Sequence, residues 1–150
     1  MQEMTAEKNP VNTWIVDDDD IYVYGLKKLA DIKGVNTTMS HFINGQEAIN
    51  ELKNTNDHTQ LPDVILLDIN MPVMDGWEFM NDFAEIKSRL GKIITIYFVS
   101  SSISLDDIYR AKSFSEVTDY IFKPVTSRQL NQIYNNSPSP TDGKIYRYGA

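Results

Sequence analysis

VILLDINMPVMDG, residues 64–76, decides how the rest of this chain reads. Its first four residues, Val64 to Leu67, are apolar on both faces, as a strand must be when helices cover the sheet on each side. A single carboxylate, Asp68, follows at once. Beyond the segment, Phe79, Phe83 and Ile86 recur at the spacing of one helical face. The unit is strand, acidic residue, helix.

The same unit recurs on either side. Upstream, Trp14-Ile15-Val16 leads into Tyr22, Leu26 and Leu29 at i, i+4 and i+7. Thr37 to Phe42 then leads into a helix through Ala48, Ile49 and Leu52, opened by Asn44 with Glu47 three residues on as a capping box. Downstream, Ile93 to Val99 reads as the fourth strand, followed by a helix capped by Ser104 that carries Leu105, Ile108 and Ala111. Tyr120-Ile121-Phe122 is the fifth strand, and Thr126 with Gln129 caps a last helix whose inner face holds Leu130 and Ile133. Strict alternation predicts a parallel sheet with helices on both faces and right-handed crossovers. From about Asn135 the periodicity stops. Residues 1–10 therefore read as an N-terminal extension, 11–134 as one α/β domain and 135–150 as a disordered tail.

Composition bounds the function. The chain has 150 residues, 41% hydrophobic and 23% charged, which suits one soluble domain stabilised by its own core. Seven Gly and six Pro exclude a collagen-like or low-complexity chain, and the lack of Cys excludes a disulfide scaffold. With 21 acidic residues against 14 basic, the net charge of −7 argues against a nucleic-acid-binding surface. The opening MQEMTAEKNP has no apolar core for a secretion signal, and the apolar run Ile93 to Val99 is far short of the ~20 residues of a membrane helix. A cytoplasmic protein with no membrane or nucleic-acid partner is expected.

The residues directly after each apolar run are more informative. Asp17-Asp18-Asp19-Asp20 comes after the first strand, Asp68 after the third, Ser100-Ser101-Ser102 after the fourth and Lys123-Pro124 after the fifth. In an open α/β sheet all these carboxyl ends share one edge, where ligands bind. Taken singly, each has a plain explanation. An aspartate run at a helix start answers the helix dipole, which accounts in part for Asp19 and Asp20; a serine triplet is a polar loop; Lys-Pro is a turn. Together, in order on four strand ends, they make a site. Crowded carboxylates repel unless a cation joins them, and oxygen ligands with few protein carboxylates suit Mg²⁺, with Mn²⁺ as a substitute. Neither His41, in the second strand, nor His58, in a polar loop, reads as a ligand.

These segments, WIVDDDD (14–20), VILLDINMPVMDG (64–76), IYFVSSS (96–102) and DYIFKPVT (119–126), resemble the receiver domain of two-component response regulators, typified by the chemotaxis response regulator. The resemblance covers about residues 11 to 134. It implies a flavodoxin-like (βα)5 doubly wound fold with strand order 2-1-3-4-5. It further implies that Asp68 accepts a phosphoryl group from a phosphohistidine of a sensor histidine kinase or histidine phosphotransfer protein. Mg²⁺ would be held by Asp18, Asp68 and the Asn70 backbone carbonyl, with Asp17 acting through water. Ser100 and Lys123 would bind the phosphoryl group, Tyr120 would turn inward as Ser100 moves, and Asn70 and Ser102 would tune the phosphoryl lifetime. Serine at 100 stands where threonine is commoner in the family. Output would pass to a downstream protein through the fourth helix, fifth strand and fifth helix, from a monomer or weak dimer, with autophosphatase activity but no dedicated enzymatic or DNA-binding domain.

Other classes fit less well. A phosphatase of the haloacid dehalogenase type also uses an aspartate after a strand, but it needs a second aspartate two residues on, where this chain has Asn70. A docking module of receiver fold that works without phosphorylation would not need the full set of site residues. A third alternative is that the chain is the receiver fragment of a longer regulator.

Overall fold

The computed structural model describes residues 9–134. The strands are β1 (Val11–Val16), β2 (Thr37–Phe42), β3 (Val64–Leu67), β4 (Thr95–Ser100) and β5 (Val117–Phe122). They alternate with α1 (Asp20–Ile32), α2 (Gly45–Asn54), α3 (Gly76–Leu90), α4 (Leu105–Lys112) and α5 (Ser127–Tyr134), and a short 3-10 turn, His58–Gln60, precedes β3. All strand pairs are parallel, in the order β2-β1-β3-β4-β5, the flavodoxin-like arrangement expected.

Alternation along each strand divides the core in two. Trp14, Val16, Ile65, Leu67, Ile96 and Phe98 point to one face, where they meet Ala48, Ile49 and Leu52 of α2 and Phe79, Met80, Phe83 and Ile86 of α3. Ile15, Val64, Leu66, Tyr97, Val99 and Ile121 point to the other, against Val23 and Leu26 of α1 and Leu130 of α5. Period-two side chains on a sheet covered twice explain why β3 is buried at every residue.

Several boundaries differ from the sequence reading. β4 starts at Thr95, and Ile93 is 93% exposed, because Lys92 instead anchors this corner through the Leu61 carbonyl and Asp63. β5 begins at Val117, ahead of Tyr120. In α4, Leu105 faces solvent and only Ala111 is buried. Asn44 caps α2 by accepting the Glu47 N–H, but the Glu47 carboxylate reaches back to the Ile43 N–H and so misses the cap residue itself. At α5 the paired contacts do form: Gln129 donates its N–H to Thr126 Oγ1 and accepts the Thr126 N–H. The tail expected from residue 135 lies outside the described residues. Among these, no helix is long and apolar enough to cross a membrane.

Candidate functional site

The register places the site. Val16 of β1 pairs with Leu67 of β3, so Asp17 and Asp68, each one residue further on, stand side by side. The Asp68 N–H donates to the Val16 carbonyl at 2.9 Å. Ser100 pairs with Phe122, and the Lys123 N–H donates to the Ser100 carbonyl at 2.9 Å, which brings the lysine to the same edge. β2 and β4 lie on opposite sides of the β1–β3 pair, and the crevice at such a reversal is where open α/β sheets bind ligands.

Three carboxylates converge there. Asp17, Asp18 and Asp68 each offer an oxygen within 4.8 Å of the others; Asp17 and Asp68 are buried and Asp18 is exposed. The remaining aspartates of the run serve the helix, Asp19 accepting the Tyr22 N–H as N-cap of α1 and Asp20 lying in its first turn. The Asp17 carboxylate takes the Asp19 N–H at 2.9 Å, and Asp68 takes the Ile69 N–H at 2.8 Å. Lys123 Nζ lies 2.9 Å from Asp17 Oδ2 and 3.3 Å from Asp68 Oδ2.

One ammonium cannot balance this much negative charge. Burial, and then the neighbouring Asp17 charge, push the Asp68 carboxyl up to about 6 despite Lys123. Burial likewise raises Asp17. Burial opposes the charge on Lys123, but its hydrogen bond to Asp17 and the Asp68 and Asp17 charges outweigh that and hold the ammonium above the ordinary lysine value. The edge is therefore short of positive charge, and an all-oxygen donor set partly open to solvent through Asp18 fits a hard divalent cation.

The other expected residues take separate places. Ser100 is buried, and its Oγ accepts the Ser102 N–H at 3.1 Å. Ser102 Oγ donates to Asp107 of α4 at 2.7 Å and accepts the Ser104 N–H, so it ties the loop after β4 to the next helix. Half-buried Tyr120 donates its hydroxyl to the Ser102 carbonyl at 2.9 Å, and its ring packs on Phe98 and Phe122. Asn70 is exposed in the loop after β3.

Three contacts around the cluster escaped the sequence reading. A Cβ on Gly76 would sit 2.4 Å from the Asp68 carbonyl, and the Gly76 N–H donates to the Ile69 carbonyl, so α3 abuts the residue at the centre of the cluster. The glycine closing VILLDINMPVMDG was a signal for it. His41 Nε2 lies 2.6 Å from the Asp17 carbonyl oxygen, a main-chain contact rather than a place among the carboxylates. Tyr22 lies beneath Lys123, and no spacing rule links a helix residue to a strand end 101 positions away.

Comparison with known proteins agrees with this fold. Residues 13–135 match the family model described as the response regulator receiver domain. The chain is 31% identical over 138 residues to the sensor histidine kinase CheAY of Helicobacter pylori, across 90% of this chain and only 16% of that protein. Among solved structures, a two-component response regulator from Cytophaga hutchinsonii superposes with a TM-score of 0.76 at 27% identity, covering 85% of this chain and 96% of that one. The CheX-CheY-BeF3-Mg+2 complex from Borrelia burgdorferi gives a TM-score of 0.66 at 25% identity over 82% of this chain and 85% of that one.

Proposed function

The chain belongs to the response regulator receiver domains, and from that premise we propose that Asp68 is its phosphoacceptor, loaded in a Mg²⁺-dependent reaction, with residues 11–134 as the working unit. The observation that carries this reading is the cluster of Asp17, Asp18 and Asp68 against Lys123, with Asp68 buried beside both a second carboxylate and an ammonium. The similar Borrelia CheY was solved in a complex with CheX, BeF3 and Mg+2, which supports a divalent cation as part of this reading.

Asp68 Oδ2 attacks phosphorus of the donor. A P–O bond to Asp68 forms while the P–N bond of a phosphohistidine breaks; the departing imidazole keeps the electron pair and is protonated from solvent. Lys123 lowers the repulsion between the two anions and then follows the charge from Asp68 to the phosphoryl oxygens. Asp18, Asp68 and the Asn70 carbonyl would hold the metal, with Asp17 through water, and Mn²⁺ would substitute for Mg²⁺. When bound, that ion supplies charge neutralisation for the transferring group.

Ser100 would release the Ser102 N–H to donate to the phosphoryl group. Because Ser102 carries both Tyr120 and Asp107, that exchange would reach β5 and α4 together. Asn70 and Ser102, flanking the site on two loops, would set how readily water reaches the acyl phosphate. A sensor histidine kinase or histidine phosphotransfer protein would be the donor, and a protein docking at α4, β5 and α5 the recipient.

Incubation with acetyl phosphate and Mg²⁺, read by intact mass, tests the proposal. One phosphoryl adduct on the wild type, missing from Asp68→Asn and from chelator-treated protein, is expected. An adduct of equal yield on Asp68→Asn would refute it.

A further inference from the structure

Lys123 has more around it than two carboxylates. Its ammonium lies 4.4 Å from the centre of the Tyr22 ring, a cation–π distance. Tyr22 is fixed from both ends: its N–H goes to the Asp19 cap at 3.0 Å, and its ring packs on the core beneath α1 and α5. Its hydroxyl is buried without a hydrogen-bond partner among the described residues. A buried, unpartnered hydroxyl costs stability, so what this side chain supplies is its ring face.

We propose that Tyr22 is a positioning residue for Lys123, its ring holding the ammonium between Asp17 and Asp68 and keeping water from it. This rests on the phosphoacceptor reading above. The ammonium has three N–H donors, and the two carboxylates at 2.9 and 3.3 Å take two of them. A third carboxylate would worsen the repulsion at this edge and pin the lysine. A ring face attracts the cation without fixing its direction, so Lys123 turns from Asp68 to a phosphoryl oxygen while staying against one partner.

Two variants separate the ring from the hydroxyl. Tyr22→Phe keeps the face and removes the unpartnered group; it is expected to take up the phosphoryl group of acetyl phosphate within about twofold of the wild-type rate at saturating Mg²⁺, with a raised Tm. Tyr22→Leu removes the face. Its rate is expected to fall about three- to tenfold, with the Mg²⁺ midpoint from tryptophan fluorescence unchanged within about twofold.

A second readout does not depend on reaction. The Lys123 side-chain methylene protons should be shifted upfield by the ring in the wild type and Tyr22→Phe, and return to ordinary lysine positions in Tyr22→Leu. A slow Tyr22→Leu whose lysine signals match the wild type would overturn the inference, because the loss would then come from the fold. A reactive wild type matched in rate by Tyr22→Leu overturns the inference alone. A wild type that takes up no phosphoryl group removes the phosphoacceptor reading and this inference with it.

Discussion

The carboxylate of Asp68 is buried beside Asp17 and Lys123. Its proton is held up to about pH 6, against an ordinary aspartate value of 3.8, mainly by burial and then by Asp17. Between these two values the folded state binds a proton that the unfolded state has released. Stability of the metal-free protein therefore falls as pH rises through that window, and the cost is complete above it. Asp68→Asn removes the charge. It should stabilise the metal-free protein by about 1–3 kcal/mol at pH 7, with the difference shrinking toward pH 4; a denaturant titration at several pH values reads this directly. Mg²⁺ should raise the Tm of the wild type above pH 6 and leave Asp68→Asn unmoved. Gly76 acts at the same scale. A methyl group there would lie 2.4 Å from the Asp68 carbonyl, so Gly76→Ala must separate α3 from β3 and should lower stability by about 1–3 kcal/mol in urea unfolding.

At the scale of elements, the loop from Ile69 to Asp75 stores strain between two glycine contacts. Its ends are held by the Gly76 N–H on the Ile69 carbonyl and the Gly45 N–H on the Met74 carbonyl, at 2.7 and 3.0 Å. Between them Met74 donates to the Pro72 carbonyl at 2.7 Å across Val73, a γ-turn at φ 70° that a β-branched residue rarely adopts. Val73 is 77% exposed, so its side chain gains little in return. Val73→Gly should raise stability by about 1 kcal/mol in equilibrium denaturation, and no change would mean the turn is relaxed. The strand–helix units were legible from sequence because burial on both faces leaves a dense apolar signal, plainest at Val64 to Leu67. α4 was misjudged for the opposite reason. Leu105 occupies a helical position turned to solvent, and only Ala111 of that helix is buried. Its cap, Ser104, the Ser102 contact to Asp107 and the Arg110 guanidinium over the Trp77 ring hold it beside the one buried residue. Amides of α4 should thus exchange with deuterium well before those of α3, which buries seven residues.

Across the whole molecule, the order β2-β1-β3-β4-β5 converts sites scattered over 107 positions, from Asp17 to Lys123, into one edge. That convergence was readable because Asp17, Asp68 and Lys123 each directly follow a strand, Ser100 ends one, and parallel strands end together. The contacts that refine it were not. The Tyr22 ring and the His41 link to the Asp17 carbonyl depend on how a helix and a neighbouring strand close over the edge, which no local pattern encodes, whereas the Gly76 approach is marked by the glycine that ends the motif itself. Charge follows the same logic. Part of the net charge of −7 is concentrated at that edge, where Asp17, Asp18 and Asp68 crowd together and a divalent cation would relieve their repulsion. The most direct measurement is the time course of label transfer from a phosphorylated histidine phosphotransfer protein to this chain with Mg²⁺ present. Label moving to a single peptide containing Asp68, and abolished by Asp68→Asn and by chelator, is the predicted result; label transferred equally to Asp68→Asn, or to a peptide lacking residue 68, would contradict it.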